Sequence, residues 1–188
     1  IPHKEAIGEA SFYGPKADFQ IKSVTGREET ASTNQVDYIM PSRFGLKYIG
    51  EDGKEHPVVV IHRAPLGSHE RFIGFLIEHF AGAFPVWLSP VQAMVLPISD
   101  KHQKYSLKVA VDLKKNGVRA EVDGRPESVG KKIREASIQK IPYMLIIGDK
   151  EVKAKKVAVR QRDEKDLGAL TLKKFTEKIL NEINEKTL

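Results

Sequence analysis

Residues 58–80 read VVVIHRAPLGSHERFIGFLIEHF. Val58 to Ile61 form an unbroken β-branched run, which reads as an extended apolar segment. Pro65 and Gly67 punctuate a turn. Phe72, Ile73, Leu76, Ile77 and Phe80 then recur at helical spacing, with Ser68 placed to cap the first turn. The stretch is therefore a strand, a turn and an amphipathic helix, with His62 and Arg63 before the turn and Arg71 after it. An arginine at a helix start opposes the positive end of the macrodipole. It gains where its guanidinium meets an anion that the free helical N–H groups share. The residues leave two readings of Arg71 open: an anion-binding group, or an exposed arginine beside Glu70. His62 is equally a packed histidine or a ligand, since no neighbouring HxH or HxxxH spacing decides for a metal.

Working outward, the first half reads as an antiparallel sheet. ADFQIKSV (17–24) alternates with period two, GREE turns the chain, and STNQVDYIM (32–40) resumes the extended pattern. GEDGK (50–54) is a second hairpin signal. AGAFPVWLSP (81–90), rich in Gly and Pro, reads as an inter-domain linker. Beyond it the pattern changes. QAMVLPI (92–98) is a strand, Asp100 is placed to cap a helix running to Gly117, VRAEV (118–122) is a strand, and 127–140 is a short basic helix. IPYMLIIG (141–148) is an apolar strand, GDKE a turn, and KKVAVRQR (155–162) another strand. A last helix runs from about Thr171, with Leu172, Phe175, Ile179, Leu180 and Ile183 on one face. Alternating strands and helices imply a mixed sheet with parallel pairs. The fold class is α/β in two domains, 1–87 and 88–188.

The charge divides at the same place. Residues 1–87 carry 9 Lys and Arg against 11 Asp and Glu, whereas 88–188 carry 22 against 14. A basic half joined to a nearly neutral one points to a polyanion partner, or to lysines that only solvate helix faces. There is no cysteine, hence no disulfide or thiolate chemistry, which suits a reducing compartment. No apolar run reaches membrane-spanning length, so no membrane partner is expected. The first residue, Ile1, is not Met, which reads as a piece of a longer protein.

GSHERFIGFLIEHFAGAFPVWLSPVQ (67–92) resembles motif 3 of the class II aminoacyl-tRNA synthetases. EASFYGPKADFQIK (9–22), STNQVDY (32–38), YIGEDGKEHPVVVIHRAPLGS (48–68), GRPESVGKKIREASIQKIPYMLIIGDKE (124–151) and VAVRQR…KDLG (157–168) narrow the resemblance to the threonine-specific family. The resemblance covers essentially the whole chain. It implies the end of a class II catalytic core, an antiparallel-sheet remnant carrying motif 3, followed by a mixed-sheet anticodon-binding domain. It implies that Arg71 binds the γ-phosphate of ATP, and that Tyr13, Lys16, Thr33, Gln35 and Asp37 line the ATP and amino-acid pocket. It also implies that His62 is one of three ligands to a zinc ion that recognises threonine, the other two belonging to a region absent from this chain. A site that binds the hydroxyl is what separates threonine from isosteric valine. Arg125, Lys140, Glu151 and Arg160 would read or hold the anticodon, with Lys131, Lys132 and Arg134 positioning phosphates.

The implied partners are ATP with magnesium, threonine and the threonine tRNA, with homodimerisation through the absent motif 1 and a cytoplasmic location. Without motif 2 and the remaining zinc ligands, the chain alone is expected neither to form adenylate nor to bind zinc tightly. Two departures stand out. Glu29-Thr30-Ala31-Ser32 replaces an aromatic–Gln–Cys–Gly run, and Pro126 replaces a common asparagine. The rival readings are a non-catalytic synthetase-like paralogue that binds nucleic acid, and a class II synthetase of another specificity, such as prolyl or glycyl. Half a catalytic sheet has uncovered apolar faces, so 88–188 is expected to be the stable part and 1–60 the protease-sensitive one.

Overall fold

The computed structural model describes residues 2–188, which fold as two units, one through His79 and the other Phe80–Leu188. In the first, β1 (Lys16–Lys22), β2 (Glu28–Asp37) and β5 (Val60–Ala64) form an antiparallel sheet in the order β1-β2-β5. The turn between β1 and β2 closes through Ser23 N–H to the Arg27 carbonyl at 2.9 Å, with Gly26 at φ +82°, a left-handed conformation that glycine adopts without steric cost. A bulge interrupts the β1–β2 ladder where Phe19 faces Ser32 and Gln20 faces Thr30, leaving Ala31 without an opposite residue. It falls within 29–32, where the chain departs from the resembling family. A short α1 (Met40–Arg43) follows β2, and β3 (Lys47–Ile49) pairs with β4 (Glu55–Pro57) across the expected hairpin. Helix α2 (His69–Phe80) is capped as its sequence predicts, the Arg71 N–H donating to Ser68 Oγ at 3.2 Å.

The second unit has a five-stranded sheet in the order β10-β9-β8-β6-β7. Strand β6 (Ala93–Pro97) lies parallel to β7 (Ala120–Val122) and β8 (Tyr143–Ile147); β9 (Lys156–Gln161) and β10 (Asp166–Thr171) extend the sheet antiparallel. Four helices accompany it: α3 (Gln103–Lys115), α4 (Val129–Ile138), α5 (Asp149–Ala154) and α6 (Leu172–Asn184). Alternation along β8 sorts the core. Tyr143, Leu145 and Ile147 join Val109 and Leu113 of α3 and Phe175 and Ile179 of α6. Met144 and Ile146 meet Ile133 and Ala136 of α4 on the other face. The mixed α/β architecture is the one the sequence predicts.

Three local expectations need correction, and one strand was missed. Residues 84–89 are not a free linker. Arg119 donates to the carbonyls of Ser89 and Trp87, Arg162 to Phe84 and Gln92 to Val86, so side chains of the second unit satisfy this segment's carbonyls. Asp100 is not the cap of α3, because a 3₁₀ turn, Asp100–His102, begins at Ser99. GDKE opens α5 instead of turning the chain, with Glu151 accepting from the Gly148 N–H at 2.9 Å. Strand β10 was not foreseen, since Gly168 at φ +72° and a register shift between Asp166 and Gly168 break its alternation. Among the described residues no helix is long and apolar enough to cross a membrane.

Candidate functional site

The register of β1, β2 and β5 gathers polar side chains on one face. Residues directly opposite share a face, as do residues two apart along a strand. Lys16 faces Gln35, Asp18 faces Thr33, and Gln35 faces His62, while Thr33, Gln35 and Asp37 alternate along β2. Tyr13 joins them through the loop 13–15. The Tyr38 N–H donates to the Tyr13 carbonyl and the Val36 N–H to Pro15, each at 3.0 Å. Gly14 permits that approach, because a Cβ there would stand 2.0 Å from the Val36 carbonyl oxygen. The Tyr13 hydroxyl donates to Gln35 Oε1, and its ring meets His62 edge-on at 5.6 Å.

Asp37 anchors this face. Its carboxylate is nearly inaccessible, at 2% side-chain exposure. Oδ2 lies 2.9 Å from His62 Nε2, and Oδ1 accepts from the Ile39 and Met40 N–H groups at 3.0 and 2.9 Å. Burial works against its charge, but the His62 bond and the two amides prevail and hold its pKa below the ordinary carboxylate value. With Nε2 engaged by the carboxylate, His62 keeps Nδ1 for another partner, the arrangement of an imidazole oriented for a metal. That fits one ligand of a metal site. Among the described residues no group of three His, Cys, Asp or Glu side chains could hold an ion.

Beside it runs a second chain of contacts that the sequence reading missed. Asp18 pairs with Lys16 at 2.8 Å and accepts from Thr33 Oγ1 at 2.6 Å. The Lys16 bond, then the Thr33 bond, lowers the Asp18 pKa, and Asp18 raises that of Lys16. The spacing of Lys16 and Asp18, two apart on one strand, was the available signal. Arg71 stands apart from this network. It lies in the first turn of α2, exposed, with no ion pair among the described residues.

In the second unit the four expected residues lie on separate elements, and no hydrogen bond or ion pair among the described residues joins any two of them. Arg125, after β7, is held by both oxygens of Asp123 at 2.9 and 2.6 Å and by Glu135 at 2.5 Å. It lines a cleft of 290 Å³ with Met94, Lys132 and Gln139. Lys140 occupies the turn after α4 in the left-handed region, φ +57°, with its side chain exposed. Glu151 lies in the first turn of α5, one carboxylate oxygen engaged by Gly148. Arg160 faces Met144 and Asp166 across its neighbours, so it shares the α4 side of the sheet; its Nε is buried without a partner. Lys132 is the correction here. It is 3% exposed and donates to the Pro97 carbonyl at 3.1 Å, so it cannot serve a phosphate at the surface. Charge type alone does not reveal that α4 turns Lys132 toward the Pro97 carbonyl. Lys131 pairs with Glu127 at 2.6 Å, and Arg134 is exposed.

Both halves match known families. Residues 4–80 match the model of the class II tRNA synthetase core domain (G, H, P, S and T), and residues 92–182 that of the anticodon binding domain. The chain belongs to the class II tRNA synthetases. Within this family it is 54% identical over 188 residues to a threonine–tRNA ligase of Caldanaerobacter subterraneus, covering 100% of the chain. It is 55% identical over 186 residues to that of Clostridium tetani, covering 99% of the chain. The chain spans 29% of the length of either relative. Among solved structures it resembles the crystal structure of the RNA binding domain of threonyl-tRNA synthetase from Cryptosporidium parvum. There the TM-score is 0.78 at 38% identity, covering 93% of this chain and 44% of that one.

Proposed function

We propose that this chain is the part of a threonine–tRNA ligase that supplies motif 3 of the catalytic core, within 1–87, and the anticodon-binding domain, 88–188. The whole enzyme activates threonine with ATP and transfers it to its tRNA. The observation that carries this reading is the single sheet face on which Tyr13, Lys16, Thr33, Gln35, Asp37 and His62 converge. A mixed row of donors and acceptors held by its own hydrogen bonds is what positioning of a polar substrate requires. Lys16 and Thr33, steadied by Asp18, offer a cation and a hydroxyl to the substrates. Tyr13 and Gln35 form the wall beside His62. Arg71, unpaired at a helix start, meets the γ-phosphate of ATP, whose charge magnesium shares.

His62, oriented by Asp37, is the one residue here that would hold zinc; when bound, the ion supplies a Lewis-acidic contact for the threonine amino and hydroxyl groups. Two further ligands, motif 2 and the motif 1 dimer interface come from the rest of the enzyme, which works in the cytoplasm as a homodimer. In the second unit Arg160, Glu151, Lys140 and Arg125 meet the anticodon, while Lys131 and Arg134 attract phosphates.

ATP–pyrophosphate exchange tests the catalytic part. The 188-residue chain gives none, and the whole enzyme gives threonine-dependent exchange that Arg71→Ala cuts by about 100-fold or more, the scale of losing one preorganised charge-stabilising group. Exchange by the chain alone, or exchange in the whole enzyme indifferent to Arg71→Ala, would overturn the assignment.

A further inference from the structure

The ends of β6 and β8 are sewn together by a buried histidine. His102, 3% exposed, accepts the Ser99 N–H on Nδ1 at 3.2 Å, with Ser99 Oγ at 3.1 Å. Nδ1 being an acceptor, Nε2 carries the proton and donates to Asp149 Oδ1 at 3.2 Å. Lys101 adds a bond to the same carboxylate at 3.0 Å. Close by, the Ile98 N–H donates to the Ile147 carbonyl at 3.0 Å. Gly148 approaches Ile98 so closely that a Cβ would lie 2.7 Å from Ile98 Cδ1 and 3.1 Å from Glu151 Oε2. Asp149 is the first residue of α5 and Glu151 the third.

A helix of six residues has little stability of its own, since helix nucleation is unfavourable and propagation short. Its first turn is fixed here from outside, by His102 through Asp149, and from inside by the Glu151–Gly148 bond. Loosening the outer tie frees the turn from which the Glu151 carboxylate projects. Ser99, His102 and Asp149 thus form a relay from the β6–α3 turn to Glu151.

We infer that His102 is a positioning residue for base recognition: through Asp149 it fixes the α5 turn so that the free oxygen of Glu151 meets the N–H donors of an unpaired nucleobase. This rests on the proposed reading of Glu151 as an anticodon contact. A carboxylate discriminates bases only when its lone pairs are aimed, because a mobile one accepts from any donor within reach.

The experiment measures equilibrium binding of the chain to a tRNA transcript with a threonine anticodon and to the same transcript with one anticodon base changed. The readout is the ratio of the two dissociation constants. Asp149 is 63% exposed, so Asp149→Ala tests the tie without emptying the core. Asp149→Ala and His102→Asn each lower the ratio by about tenfold, the worth of one hydrogen bond to a charged group. His102→Asn keeps the acceptor for Ser99 and loses the donor for Asp149. His102→Gln, whose amide nitrogen reaches the Nε2 position, restores the ratio. Affinity for the altered transcript stays unchanged throughout. A ratio lost on Glu151→Ala but retained in Asp149→Ala and His102→Asn would overturn the positioning role alone. A ratio indifferent to Glu151→Ala would overturn that role together with the reading of Glu151. Equal loss of affinity for both transcripts would reduce His102 to a structural group.

Discussion

The two units differ in the relation between core and surface. In the first, Asp37 and Pro41 are the buried residues among those described, while Phe19, Ile61, Ile73 and Ile77 are at least half exposed. In the second, the buried hydrophobic residues run from Ala93 to Ile179 and both faces of the sheet are packed. The first unit nevertheless holds its polar face in register without a core beneath it. Hydrogen bonds and strand pairing suffice to place side chains, whereas burial of apolar surface is what supplies most of the stability. The difference is that the first unit leaves its apolar side chains largely exposed, whereas the second buries its own on both faces of its sheet.

Mutation should separate them most sharply. Phe175→Ala costs roughly 3–5 kcal/mol in denaturant unfolding, as large-to-small changes of a fully buried aromatic do. Phe19→Ser and Ile61→Ser each stay within about 0.5 kcal/mol, as exposed substitutions do. Equal costs in the two units would erase the contrast. Limited proteolysis, followed by mass spectrometry, should next cut within 1–60; early cuts inside 100–160 would reverse the assignment of the stable module.

The module's alkaline limit is a third, smaller effect. Tyr143, fully buried, donates to both Glu182 oxygens at 2.8 and 2.9 Å. Burial, then the Glu182 carboxylate, pushes its pKa up to about 12. A raised folded value means the stabilisation is complete below the ordinary tyrosine value near 10 and declines as pH climbs from there toward 12. Tyr143→Phe should remove that slope from thermal midpoints recorded between pH 9 and 12. The first unit responds at the other extreme. The depressed Asp37 pKa makes its anchor fully effective above about pH 4, and the anchor is lost as pH falls through the folded value. His62 ring signals followed by NMR should report that loss, and Asp37→Asn should abolish it.

Much of this was legible in the chain itself. The apolar runs of β6, β8 and β9 were legible because their residues are wholly or partly buried, and α2 was legible from its helical spacing although none of its residues is buried here. Ser68 marked the start of α2 through its capping hydroxyl, and Thr171, read as the start of the last helix, caps α6 in the same way. What stayed hidden depends on partners distant in sequence. Residues 84–89 look like a linker until Arg119 and Arg162 arrive from elsewhere to bind their carbonyls. Lys132 looks like a surface cation until the fold aims it at Pro97. Asp37 was placed in the pocket by resemblance and Asp18 was hinted at by its spacing from Lys16, but it takes the register to show that they brace His62, Lys16 and Thr33.

The central claim is that the basic unit reads bases and does not merely attract phosphate. It is tested most directly by titrating the chain with threonine tRNA and with anticodon-altered tRNA at two salt concentrations. The account predicts weaker binding to both at high salt but a preserved preference for the threonine anticodon, reduced by about tenfold in Arg160→Ala, the scale of one lost base contact. Lys131→Ala should lower affinity for both tRNAs alike and leave the preference intact. Salt-sensitive binding with no preference in the unaltered chain would contradict it.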